Sequence, residues 1–338
     1  MCSTRWLELT YYAETIGFCL SISFNFILLL LISEMPKKIF GSYKYLMLSF
    51  SVLGMFYSCC NVLAKPNLYI TDVSFAAFNI LKNTGFSKSF GSIAIGKLME
   101  LGSCYGMMIV LLTINFYYRY LSVTCPAKLT RFSAKNSPIW VFLILFNSST
   151  WFVLSYFVNG PTSMKDEILQ PELLQAYCMQ PEDYAYVGPQ YFYKDEGEMK
   201  FHLPSWIASG GMAFTMFITN TLLTYFGIET YRHLNKIGSI AGIEYRELQR
   251  QLFRTLVIQT AIPMVFMYFP ISCMFLFPIF GIKAESLANV VPIAVAIYPC
   301  FEPLAAMYCI KSFQKRIFSI LTCNKFNKSM HSTVVPVI

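Results

Sequence analysis

Polar residues thin out almost completely in seven stretches of this chain, at 11–32, 45–64, 92–117, 139–158, 205–228, 255–277 and 288–310. Runs of about 20 apolar residues match a hydrocarbon layer of roughly 30 Å when coiled as helices. The first run has no basic region in front of it and is longer than a signal-peptide core, which predicts an uncleaved first span. No repeat, low-complexity tract or Gly/Ser-rich linker divides the chain, so 1–338 is expected to be one membrane domain. Past the last run, Ile310, Phe313, Ile317 and Leu321 recur at helical spacing while Lys311, Gln314, Lys315 and Arg316 take the other faces. That pattern predicts a short amphipathic helix over 311–321, lying on the lipid surface at the start of a tail, 311–338. The expected fold is therefore all-α: seven transmembrane helices and one surface helix.

The last two spans carry an unusual set of interior prolines, Pro263 and Pro270 in one and Pro292, Pro299 and Pro303 in the other. An interior proline costs about 3 kcal/mol in a water-soluble helix. Inside a bundle, neighbouring helices and polar side chains satisfy the carbonyl it frees. The pattern predicts two kinked helices able to bend.

Composition agrees: 56% of the 338 residues are hydrophobic and only 13% are charged, well below the quarter usual in soluble domains. The net charge of +8 raises a nucleic-acid reading, but the basic residues are spread over short loops between apolar spans, which argues against it. One set of loops plus the tail holds about twice as many Lys and Arg as the other, placing the amino terminus outside and the carboxyl terminus in the cytoplasm. Most of the eleven cysteines fall within apolar runs, and three scattered histidines make no metal-ligand cluster. No nucleophile–base pair suggests an enzyme, and neither a cofactor nor a metal is expected.

The residues with chemistry to offer are few. Arg119 ends the third span in the string Tyr117-Tyr118-Arg119-Tyr120; it is either a flank residue reaching lipid phosphate or the arginine of a switch. Lys97, Glu100 and Glu302 lie within spans, where charges usually face the bundle. Lys97 and Glu100, three residues apart, either neutralise each other or line a ligand cavity. Glu302 suits switching, whereas Glu14 is expected to be solvated near the outer surface. The long outer loop, 159–204, holds eight acids and three lysines. Its aromatics Tyr184, Tyr186, Tyr191, Phe192 and Tyr193 form either a lid or a solvated connector. Cys178 in that loop has no obvious partner and is expected as a free thiol. Cys323, beyond the amphipathic stretch, is a candidate for palmitoylation.

Several of these strings together resemble the Str class of nematode serpentine chemoreceptors. They are YYRY followed by Pro126, the Ile262–Pro270 string with Pro263, Met267, Tyr268 and Pro270, the PIFGI string at 278–282, and YPCFEPL at 298–304. The resemblance covers the whole chain in topology and is strongest at the end of the third span and across the sixth and seventh. It implies a GPCR-like seven-transmembrane bundle responding to a small odour molecule. It also implies that Arg119 is the family's arginine and that Pro299 and Pro303 belong to its seventh-span pattern. Glu302 stands where the family usually has aspartate. Against the rhodopsin-like pattern, Tyr118 replaces the acid before the switch arginine, so an ion pair to Arg119 is expected from Glu244 or Glu247. Ala94 stands where the outer-loop disulfide is normally anchored.

The expected function is that of a G-protein-coupled chemosensory receptor with a heterotrimeric G protein, a small-molecule odorant and the lipid bilayer as partners. Its setting would be the plasma membrane or a sensory-neuron cilium. The switch would be built from Arg119, Tyr118, Tyr120, Glu302, Pro303, Pro263 and Pro270. The ligand cavity would draw on Lys97, Glu100, Cys104, Met107, Met212, Thr215, Met267 and Tyr268, whose soft and aromatic side chains suit apolar ligands. A peptide-activated receptor of the same class is the alternative, through the acidic outer loop. A transporter or channel would show repeats or a ladder of intramembrane polar residues.

Overall fold

The computed structural model describes residues 2–34, 43–85, 101–236 and 243–322. Seven helical stretches within them are long and apolar enough to cross a membrane. These are α1 (Arg5–Ser33), α2 (Tyr43–Ala64), α3 (Leu101–Thr124), α4 (Ser137–Val153, prolonged by a π-helical turn Leu154–Val158), then, after a shorter α5 (Ser163–Tyr177), α6 (Leu203–Lys236), the pair α7 (Ile243–Pro263) and α8 (Phe269–Ile279), and α9 (Val290–Cys309). The surface helix α10 follows over Lys311–Leu321. The third of these spans is the most enclosed, with 72% of its apolar window buried against 11% for the fourth.

Small and polar residues, rather than the large apolar ones, decide which helix faces turn inward. The buried stripe of α1 reads Leu7, Thr10, Glu14, Gly17, Ser21, Asn25, Leu28, three or four residues apart on one face. On α2 it reads Tyr43, Met47, Ser51, Gly54, Ser58, Asn61. Lipid tails solvate leucine as well as another helix does, so association comes from close backbone approach and interhelical hydrogen bonds. Ser58 Oγ donates to Ser21 Oγ at 2.6 Å, and Ser51 Oγ to Asn25 Oδ1 at 3.0 Å. At Gly17 a Cβ would stand 2.5 Å from the Ala296 carbonyl oxygen, so only glycine lets α1 lie this close to α9. Glu14, expected to be solvated, is 2% exposed; it shares the inward stripe with Gly17 and Ser21.

The helix containing Pro263 is interrupted, whereas α9 runs unbroken through its prolines. Pro263 closes α7, and the next turn, Met264–Tyr268, winds as a π-helix before α8 resumes with Pro270 in its first turn. A π turn of this kind absorbs the bond and the space that proline denies. Pro299 and Pro303 sit inside α9. Having no N–H, Pro303 deprives the Pro299 carbonyl of its helical donor, and Asn25 Nδ2 donates to that oxygen instead at 3.3 Å.

One end of the bundle is roofed by an antiparallel sheet of order β1-β2-β3, from β1 (Asn67–Ile70), β2 (Phe75–Ile80) and β3 (Tyr184–Val187). Leu68 pairs with Ala77, and Ala77 with Val187 across the second junction. Alternation along the strands splits the side chains between two faces. Tyr69, Phe78, Tyr184 and Tyr186 pack under Leu169, Leu173 and Tyr177 of α5. Leu68, Ile70, Phe75 and Ala77 face Tyr191 and Ala288. A second hairpin, β4 (Phe192–Asp195) with β5 (Glu198–Phe201), stands beside it. The 159–204 loop is thus an ordered lid, and Tyr184, Tyr186 and Tyr191 are its buried anchors.

Cys178 is not a free thiol: it forms a disulfide with Cys2. The left-handed conformation of Cys178 at the end of α5, φ 55°, turns it toward the start of the chain, where Ser3 N also donates to the Ala176 carbonyl at 3.0 Å.

Candidate functional site

Directly beneath the sheet lies a cavity of about 130 Å³. Its roof is Leu68, Phe75, Ala77 and Val187, and its walls come from α2, α4, α6, α8 and α9, among them Tyr57, Trp151, Met212, Phe275 and Val295. Each element delivers its residues for a local reason. The strand period sends Leu68 and Ala77 downward, and the α2 stripe that holds Tyr57 also holds Asn61. Trp151 is fixed by donating Nε1–H to Thr215 Oγ1 at 2.9 Å. Among the described residues no charged side chain lines this space.

Several charged groups on the roof are paired within the lid. Glu172 accepts from Tyr69 Oη at 3.0 Å and from Lys283 Nζ at 2.7 Å, and Asp166 accepts from Tyr186 Oη at 2.7 Å. Burial, reinforced by the neighbouring carboxylates, pushes the Tyr69 and Tyr186 phenols well above their ordinary value. Lys165 is 5% exposed and donates Nζ–H to the Gly160 carbonyl at 2.8 Å; burial lowers its ammonium to about 8.

Below the cavity Tyr57 meets Tyr298 edge to face, ring centroids 5.6 Å apart. Tyr298, Met267, Tyr268, Pro263 and Glu302 surround a much smaller space. Glu302 borders in turn a polar recess with Asn25, Ser51, Asn115, Gln259 and Tyr43. These two spaces hold about 10 Å³ each, about the room of one water.

Tyr43 leads to Arg119. The guanidinium carbon sits 3.6 Å from the Tyr43 ring centroid, and Arg119 is 2% exposed. Its Nη1 donates to Gln249 Oε1 at 3.4 Å, while Nε and Nη2 have no hydrogen-bond partner among the described residues. Tyr118 stacks on Tyr43, centroids 6.1 Å apart, with its ring 5.9 Å from the same guanidinium carbon. Tyr120 turns away to Phe226. Of the two carboxylates expected as its partner, Glu247 accepts instead from Lys311 Nζ at 3.1 Å, which holds its carboxyl below the ordinary range. The Glu244 side chain lies outside the described set. Among the described residues an aromatic face, not a carboxylate, meets the guanidinium.

The residues named from sequence divide accordingly. Met212 is on the wall of the main cavity, and Thr215 holds that wall through Trp151. Met267 and Tyr268 belong to the smaller space beside Glu302. Met107 packs on the core between the two. Lys97, Glu100 and Cys323 lie outside the described residues, as does the Cys104 side chain. The helical pattern passes over Tyr43, Tyr57, Asn61 and the whole sheet. A signal for the sheet exists: Asn67–Ile70 and Phe75–Ile80 are short apolar runs joined by Thr71-Asp72-Val73-Ser74, a polar turn closed by Thr71 N–H donating to the Ser74 carbonyl at 2.8 Å. Among the described residues no group of His, Cys, Asp and Glu is disposed to hold a metal ion.

Known proteins place this architecture. The chain is 28% identical over 328 residues to "Serpentine receptor class r-10" of Caenorhabditis elegans, covering 97% of this chain and 95% of the relative. It is 27% identical over 329 residues to the protein of the same name in Caenorhabditis briggsae, covering 97% and 94%. With "G-protein coupled receptor str-33" of Caenorhabditis elegans it shares 24% over 302 residues, covering 88% and 86%. A profile of the serpentine type seven-transmembrane GPCR chemoreceptor Str family matches residues 10–318. With that match running from α1 into the surface helix, the chain belongs to the Str family of serpentine chemoreceptors, seven-transmembrane receptors of the GPCR type.

Proposed function

We propose that this receptor is chemosensory. It takes a small, uncharged, mainly apolar molecule into the cavity under the sheet and signals to a heterotrimeric G protein at the opposite end, around Arg119. The sheet end faces outside and the surface helix α10 lies on the cytoplasmic leaflet, in keeping with the distribution of basic residues. The observation that carries the reading is the pairing of an apolar, roofed cavity at one end with a buried arginine held on an aromatic ring at the other. Between them stand two spans with interior prolines, one of them broken by a π turn. A ligand that binds the bent form better shifts the pre-existing equilibrium toward it, and the helix ends near Arg119 part. Tyr57, Tyr298, Tyr268 and Glu302 bridge the two ends in space, a juxtaposition rather than a demonstrated coupling.

A peptide ligand is the weaker reading. Three of the eight acids of the 159–204 loop are engaged within the lid, Glu172 with Lys283, Asp166 with Tyr186 and Asp195 with Lys200, which lowers the charge left to draw a cationic peptide. The test is expression in a heterologous cell with a calcium or cAMP readout across a panel of volatiles and cationic peptides. Volatile responses lost in Arg119→Ala and in the cavity-filling Val295→Phe are the expected result. A current driven by ligand with no G protein present would refute the reading.

A further inference from the structure

Ser205 Oγ, in the first turn of α6, ties three parts of the chain together. It donates to Asn159 Oδ1 at 3.2 Å, accepts from the Gln190 N–H at 3.2 Å, and stands 2.9 Å from His202 Nδ1. Ser205, Asn159 and Gln190 are buried, while His202 is half-buried. A hydroxyl has one hydrogen and two lone pairs. With that hydrogen given to Asn159, the neutral imidazole supplies Nδ1–H, and its Nε2 lone pair is left to take a second proton. The seam so formed joins the end of the fourth span, the lid and the start of α6. Gly188 N–H donates to the Asn159 carbonyl at 2.9 Å, and His202 N–H to the Tyr191 carbonyl at 2.9 Å. Asn159, Gly188 and Pro189 belong to the cavity wall, so this seam is where lid and cavity meet.

The charge that bears on His202 is Lys165 of α5, buried with its Nζ on the carbonyl of Gly160, the residue after Asn159. From β4 the imidazole meets the Tyr193 ring edge to face, centroids 6.3 Å apart. Carboxylates of the surrounding elements are turned elsewhere: Asp166 to Tyr186, Glu172 to Lys283, and Asp195 to Lys200. Burial, then Lys165, holds the imidazole below its ordinary value, against an opposite pull from the Gln190 backbone. A second proton would put an imidazolium beside a buried ammonium with no carboxylate paired to either among the described residues.

We propose that Nε2 of His202 is a proton-binding site through which acid in the outer medium loosens the seam between lid and cavity. The imidazolium gains by turning to water and away from Lys165, and Ser205 then loses its third partner. This goes beyond the chemosensory reading and stands without it. The sign follows from linkage. The folded imidazole binds its proton less readily than the unfolded one, whose value is about 6.5. The opened form therefore binds more protons, and the seam is firm above about pH 6.5 and weakens as pH falls below it.

Hydrogen exchange of the purified full-length receptor, corrected for the intrinsic rate, reads the seam at the Gly188 and Gln190 amides. From about pH 7.5 to about pH 5.5 their protection should fall, by up to about tenfold per pH unit below 6.5. His202→Asn, which offers an amide N–H to Ser205 without a titrating nitrogen, should hold protection constant over that range. Lys165→Met should shrink the fall, because the imidazolium then meets no other cation. Constant protection in the native receptor overturns the proposal, with no need for any variant to fold. A fall that persists in His202→Asn overturns it too, since another group would then carry the proton. An undiminished fall in Lys165→Met removes the charge pairing on which the site rests and overturns it as well.

Discussion

Asn25 and Pro299 are joined across the bundle by a hydrogen bond, Nδ2 to carbonyl oxygen at 3.3 Å, made to the one backbone group of α9 that Pro303 strips of its donor. The same amide takes Ser51 on its oxygen and gives to the Ser21 carbonyl at 2.9 Å. One side chain therefore ties α1 and α2 to the proline segment of α9. Replacement by leucine leaves the Pro299 carbonyl without this donor in an apolar surround, a loss of about 1–3 kcal/mol. Thermal unfolding in detergent should show a lowered midpoint for Asn25→Leu, and a smaller drop for Asn25→Gln.

Among the described residues, what meets the Arg119 guanidinium is the Tyr43 ring and not a carboxylate. A desolvated cation–π contact is worth about 2 kcal/mol, so Tyr43→Ala should raise ligand-independent signalling roughly tenfold or more if this contact holds the resting state. Tyr43→Phe keeps the ring face and should stay close to wild type. Glu247→Gln should leave basal signalling unchanged, because Glu247 faces Lys311. An increase on Glu247→Gln with none on Tyr43→Ala would restore the ion-pair view.

The Cys2–Cys178 bond closes a loop of 176 residues in sequence and pins the start of α1 to the end of α5. Cys2→Ser and Cys178→Ser should each lower stability by about 2–4 kcal/mol, and the double variant should be no worse than either. Labelling of the partner thiol in each single variant, absent in the wild type, is the check.

Lid stability should depend on alkaline pH with a definite sign. The Lys165 ammonium is lowered from 10.5 to about 8 in the folded chain, so above pH 8 the unfolded state binds more protons and folding gains as pH rises, by up to about 1.4 kcal/mol per pH unit. The phenols of Tyr177 and Tyr184, raised by burial from 10.0 to about 12, work the other way: their contribution is full below pH 10 and is lost between there and pH 12. Hydrogen exchange at β3 should therefore slow, relative to its intrinsic rate, from pH 8 to 10 and quicken above. Lys165→Met should remove the first limb only.

Much of the frame was legible before any coordinates. The seven apolar runs could be counted because a span must be long and continuous to satisfy its backbone in lipid. Proline removes a helical donor wherever it falls, and α7 duly ends at Pro263 with a π turn behind it. Arg119 was conspicuous as a charge at the end of a span. Its partner was not, since Tyr43 is one of 22 tyrosines and nothing local marks the one that will lie under a guanidinium.

Hydropathy and proline placement set the elements: seven membrane helices, the break after Pro263, a short amphipathic helix and a short list of intramembrane polar groups. These are local properties, set by hydropathy over one helix length and by proline's missing N–H. Tertiary structure alone decided the sheet that brings Ala77 to Val187, the disulfide from Cys2 to Cys178, and the burial of Glu14. It also decided the cavity on which Tyr57 and Asn61 converge with Met212. Each depends on segments far apart in the chain meeting in space. Such meetings are selected by packing and hydrogen-bond satisfaction summed over the whole bundle, a sum that no window of the sequence contains.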